Sequence, residues 1–205
     1  DRFIHLNHKN FSSLNVLEVN DFDKAQNGLK HPLNFRKGFW ATTFLRLVAV
    51  SKFATQTKQP VIHIESDVVV SQDFPISKLI GLKNTLAYPI VAPGLAVASI
   101  LYFSDSETAS SFNTFLDKHL EQNPLTTDMK VLEEFRTAFP SAVTILPTGF
   151  GDRTHFTDET SILDYQEIND NSKYFDGVFD AIDIGFFLYG EDPRNNRGRR
   201  RIFKV

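Results

Sequence analysis

Apolar residues along this chain fall into two kinds of pattern. Short, nearly continuous runs stand at residues 3–6, 15–19, 60–70, 85–91, 97–103 and 142–146, bounded by polar residues, glycine or proline. Runs of that length predict strands. Longer segments repeat their apolar positions at helical spacing. Trp40, Phe44, Leu47 and Val48 stand at i, i+4, i+7 and i+8 and predict a helix over about 38–55. Ala109, Phe112, Leu116 and Leu120 predict a second, opened by Ser104 with Glu107 three residues on as a capping box. A third begins near Thr127 and Asp128 and stops before Pro140, with Leu132, Phe135 and Phe139 facing inward. Residues 21–36 and 155–174 are polar without a period and read as loops, and 71–82, with Pro75 and Gly81, reads as a connector.

Strands interleaved with helices predict an α/β fold, a mixed and mostly parallel sheet flanked by helices. The β-branched run at 60–70 reads as a strand buried on both faces. A chain of 205 residues suits one domain, possessing a real core, with residues from about 150 to 205 as a variable C-terminal lid and basic segment.

The run at 60–70 is interrupted by Glu65-Ser66-Asp67. Unpaired charge is costly to bury, so two acids at a strand end either face the crevice where α/β sheets bind ligands or share a cation. Magnesium and manganese take hard oxygen ligands, typically one or two carboxylates plus substrate phosphates. Glu65 and Asp67 are therefore candidate metal ligands, the alternative being a solvated loop edge. Arg46 lies off the apolar stripe of its helix. Its planar fork of donors suits a diphosphate, and a solvated surface arginine is the plainer reading. Asp128 in the first turn of its helix is favoured by the helix dipole alone. Farther on, Asp180 and Asp183 would share one face of a helical turn, and residues 194–201 hold five arginines in eight positions.

Four segments, Gly38-Phe-Trp-Ala-Thr-Thr-Phe-Leu-Arg46, His63-Ile-Glu-Ser-Asp67, Phe179-Asp-Ala-Ile-Asp-Ile-Gly185 and Gly190-Glu-Asp-Pro-Arg-Asn195, together resemble the GT-A-type glycosyltransferases, more narrowly a group found in microbes and large viruses. The resemblance implies a GT-A, Rossmann-related fold and transfer of a sugar from a UDP- or GDP-sugar to a hydroxyl of a glycan or other acceptor. It places Glu65 and Asp67 on a manganese or magnesium ion and, with Arg46, on the donor. Asp180, narrowly ahead of Asp128, becomes the base or an acceptor-binding acid, and Ser99, Asp183 and Arg194 contact the acceptor. The chain departs from the pattern in three places. Glutamate replaces the first aspartate of the motif, Ala98-Ser99-Ile100 stands where the family has close to Asn-Ser-Gly, and no histidine follows His155. Those departures keep a second reading open, a non-catalytic module of the same fold that binds a glycan or a protein.

Composition narrows the picture. Twenty phenylalanines against one tryptophan and one methionine predict an aromatic-heavy core. A formal charge of −3 carries no nucleic-acid footprint, so no nucleic-acid partner is expected. Without cysteine there is neither a disulfide nor a thiolate chemistry to consider. No apolar run approaches the roughly 18 residues of a membrane span, and the first residues lack a signal-peptide pattern, so a soluble, cytoplasmic chain is expected.

Overall fold

The structure, a computed structural model, describes residues 23–32, 38–65, 68, 70–92, 95–148, 170–177 and 179. The expected strands at 3–6 and 15–19 lie outside them.

The three periodic segments are helices. Helix α2 (Phe39–Thr57) follows Gly38, whose φ of 80° is a left-handed conformation that only glycine adopts without strain, and it buries Phe44, Leu47 and Val48. Helix α4 (Ser106–Gln122) buries Ala109, Phe112, Leu116 and Leu120 as the period requires. Its cap lies one residue beyond the expected one. The Asp105 carboxylate accepts from the Thr108 amide at 2.7 Å, while the Ser104 hydroxyl accepts from the Thr85 amide at 2.7 Å. A charged oxygen is the stronger cap at the positive end of a helix, and Ser104 is taken by the sheet. Helix α5 (Asp128–Ala138) is capped by Thr127, whose hydroxyl accepts from the Lys130 amide at 3.2 Å. Leu132 and Phe135 are buried, but Phe139 is 47% exposed, because the helix ends at Ala138 and the next side chain leaves the stripe.

Three stretches read as irregular contain short helices: α1 (Asp23–Gly28), α3 (Ile76–Gly81) and residues 170–175. Elements this short carry too little sequence to display a period.

The strands are β1 (Val61–Ile64), β2 (Leu86–Ala92), β3 (Leu95–Ala96), β4 (Ile100–Phe103) and β5 (Val143–Leu146). β4 lies between β1 and β2 and is antiparallel to both, β5 runs parallel to β2, and β3 pairs antiparallel with the far end of β2. The mixed α/β expectation holds, and the mostly parallel one does not: β2–β5 is the one parallel pair among the described residues. The reason is the connection after Ala92. Two residues separate it from Leu95, enough for a hairpin and far short of the dozen or more a parallel crossover needs. The returning strand is irregular at residues 97–99 and resumes at Ile100, so the run at 97–103 makes only a four-residue strand. β1 is also shorter than expected and half-buried rather than buried on both faces, since among the described residues it pairs with β4 alone.

Alternation along β4 separates two cores. Leu101 and Phe103 join Phe44, Leu47, Phe112 and Phe135 beneath α2, α4 and α5, whereas Ile100 and Tyr102 join Leu79, Leu146, Phe175 and Phe179 on the opposite face. The aromatic content is spent here: Phe112 meets Phe135 edge to face at 4.9 Å and Phe103 at 5.9 Å. Among the described residues no helix is long and apolar enough to cross a membrane.

Candidate functional site

β1 delivers its side chains alternately to the two cores. Val61 packs with the helix-side cluster and Ile62 and Ile64 with the other, which puts His63 and Glu65 on the helix side with Val61. Glu65 is anchored through its backbone. Its amide donates to the Ser99 carbonyl at 2.9 Å, and its carbonyl accepts from the Val68 amide at 3.1 Å as the chain leaves the sheet.

Arg46 extends from α2 to this point. Its Nη1 donates to Glu65 Oε1, and its Nη2 donates to Asp128 Oδ2 at 3.3 Å. Asp128 is the first residue of α5, a helix that packs against α2 and β3, so its carboxylate lies at a helix N-terminus. It is only 6% exposed, while the Arg46 and Glu65 side chains retain 26% and 24% of their surface. Thr43, three residues before Arg46 on α2, is buried as well.

These neighbours shift two protonation equilibria. Burial pushes the Asp128 carboxyl up, with Arg46 the foremost opposing influence and the Met129 amide next. His63 is lowered to about 4, by burial first and by the Arg46 charge second, so its imidazole is neutral at neutral pH. Three buried atoms of the cluster, Arg46 Nε, His63 Nε2 and Asp128 Oδ1, have no hydrogen-bond partner among the described residues. One guanidinium thus faces two carboxylates and a neutral imidazole. Such a group can accept hydrogen bonds from hydroxyls, and its hard oxygens suit a cation.

A divalent ion of the kind implied above would use Glu65. The fit is that of an ion that brings other ligands with it, as magnesium does when phosphates complete its shell. Among the described residues no three Asp, Glu, His or Cys side chains form a ligand set on their own.

Of the residues expected from the sequence, Arg46, Glu65 and Asp128 are brought together from three separate elements. Ser99 is buried beside them, with its carbonyl committed to the Glu65 amide. Asp67, Asp180, Asp183 and Arg194 lie outside the described residues. His63 was not singled out, although its place two residues before Glu65 in a strand puts both on one face.

On the other face of the sheet, a cavity of about 290 Å³ is lined by Val68, Phe74, Ile100, Asp176 and Phe179 among others. Phe179, immediately before Asp180, donates its amide to the Pro147 carbonyl at 2.8 Å, which ties Phe179 to the residue that follows β5. No family model matches the chain, and no curated protein or solved structure does.

Proposed function

We propose that this chain is a metal-dependent glycosyltransferase of GT-A type, moving a sugar from a UDP- or GDP-sugar to a hydroxyl of a glycan or other acceptor. The observation that carries the reading is the meeting of Arg46, Glu65 and Asp128 at the end of β1. In open α/β sheets ligands bind beyond the carboxyl ends of the strands, and this cluster supplies there a guanidinium for a diphosphate and carboxylate oxygens for its metal.

Glu65 with Asp67 would hold manganese or magnesium, which when bound supplies Lewis-acid neutralisation of the departing nucleoside diphosphate. Arg46 presents its guanidinium to the same leaving group. Asp180 takes the proton from the acceptor hydroxyl, Asp128 being the second acid available for that role, and Asp183 and Arg194 orient the acceptor.

One observation favours the alternative of a non-catalytic binding module. Arg46 engages both carboxylates at once, an arrangement that a purely structural ion network would also show.

Calorimetric titration with UDP and GDP, each with and without manganese, tests the proposal. Metal-dependent binding that vanishes in Asp67→Ala is expected, with Asp180→Ala binding donor normally but failing to transfer. Asp67→Ala binding donor and metal like the parent would overturn the reading.

A further inference from the structure

Arg46 and Asp128 already touch, and each carries one buried atom without a partner among the described residues. Nη2 donates to Oδ2 at 3.3 Å, whereas Nε and Oδ1 are unpaired. In a guanidinium the Nε–H and Nη2–H bonds lie on one edge, spaced to meet both oxygens of a single carboxylate. Nε and Oδ1 are the two atoms that a side-on bridge would join beside the Nη2–Oδ2 contact already made. A charge-assisted N–H···O bond runs at about 2.7–2.9 Å, so the half that is made is also long. The remaining contact of the guanidinium is on the other terminal nitrogen, where Nη1 donates to Glu65 Oε1 and so fixes where the group sits. Closing the bridge would satisfy a donor and an acceptor that otherwise stay desolvated.

We propose that Arg46 has two seats: on Glu65, as seen here, and closed side-on over Asp128 through Nε and Nη2 once Glu65 no longer holds it. Asp128 is then a positioning residue that receives the guanidinium beside the end of β1. A divalent cation at Glu65 would be one agent of release, and that trigger rests on the function proposed above. The two seats do not depend on it.

The Nε–H of Arg46 reports the exchange directly. Its side-chain resonance in a nitrogen–proton correlation spectrum of the 205-residue chain is identified by its loss in Arg46→Lys. In Glu65→Ala without added metal, the resonance is expected to move downfield and to exchange with water about tenfold more slowly, the factor for one added charge-assisted hydrogen bond. Adding Asp128→Ala should cancel both changes. An Nε–H unaltered by Glu65→Ala, in a protein whose backbone amides report the parent fold, overturns the proposal. If that variant does not fold, Glu65→Gln takes its place with the same two outcomes. Magnesium titrated into the parent chain separates the two ideas. A response matching Glu65→Ala supports the cation at Glu65, whereas no response there alongside a clear one in the variant upholds the two seats and rejects the cation.

Discussion

The Glu65 amide donates to the Ser99 carbonyl at 2.9 Å, one step past the last paired residues of β1 and β4, Ile64 and Ile100. The returning strand is irregular at 97–99, so the ladder stops there and, among the described residues, Glu65 is the last that the sheet holds. Its carbonyl is taken in turn by Val68. A backbone held on both sides costs little further entropy when the side chain is ordered, which suits Glu65 to a fixed charge at the mouth of the sheet.

Removing Arg46 should expose how much of the local structure depends on it. Arg46→Met leaves two neighbouring carboxylates, one of them buried, without their cation. Breaking such a partly buried network is expected to cost about 3 kcal/mol, read as a lower urea midpoint at neutral pH. Asp128 is already raised by burial and loses its main opposing influence, so its carboxyl should rise further. The deficit should accordingly shrink as the pH falls and the carboxylates protonate. A variant as stable as its parent at neutral pH would mean that the network contributes nothing net.

His63 predicts the shape of the acid limb of stability. Its folded value of about 4 lies below its ordinary 6.5, so the fold prefers the neutral ring. The resulting stability is complete above 6.5 and is lost as the pH falls toward 4. Asp128 acts in the opposite sense, because it is raised and protonation relieves its buried charge. His119, lowered by burial against the opposing Glu134, adds to the loss. His63→Leu should therefore flatten the decline across this window without abolishing it. Parallel stability–pH curves for parent and variant would remove His63 from the account.

Much of the helical layer was legible because burial alone dictates it. Phe44, Leu47 and Val48 on α2 and Phe112 and Leu116 on α4 repeat at the helical period and all face the core. The sheet was less legible. A run such as 60–70 shows where apolar residues lie, but not that the described ladder ends with the Glu65 amide on the Ser99 carbonyl. The antiparallel turn was visible in the short Pro93-Gly94 connection, and the mostly parallel expectation gave that length too little weight. The site was legible as separate charges only. Arg46, Glu65 and Asp128 each had a plain surface reading, and their meeting joins residues 82 positions apart, which no local pattern reports.

The start of α4 offers a test of which residue is the cap. Asp105→Ala removes the acceptor for the Thr108 amide and should cost about 1–2 kcal/mol in chemical denaturation. Burial raises the Asp105 carboxyl, but its bonds from Ser104 and Thr108 outweigh this and leave it lowered. The cap's contribution therefore holds at neutral pH and fades as the pH falls through that lowered value. The stability difference between parent and Asp105→Ala should narrow over the same range. Equal denaturation midpoints for the two proteins at neutral pH would reject Asp105 as the cap.

Tyr88 and Tyr102 are both fully buried on neighbouring strands, yet their hydroxyls differ. Tyr88 donates to the Leu132 carbonyl at 2.7 Å, joining β2 to α5, while the Tyr102 hydroxyl has no partner among the described residues. Burial of an unpaired hydroxyl is unfavourable, and its loss restores the apolar contacts of the ring edge. Tyr102→Phe is therefore expected to stabilise the fold by about 1 kcal/mol. Tyr88→Phe should destabilise it by a similar amount, since it abandons the bond and leaves the Leu132 carbonyl wanting a donor. Opposite shifts of the urea midpoint with an unchanged slope are the expected result, because neither substitution alters the surface exposed on unfolding. If both variants lose stability together, the Tyr102 hydroxyl has a partner that stabilises it. If neither changes, the Tyr88 bond contributes no more than the water it replaced.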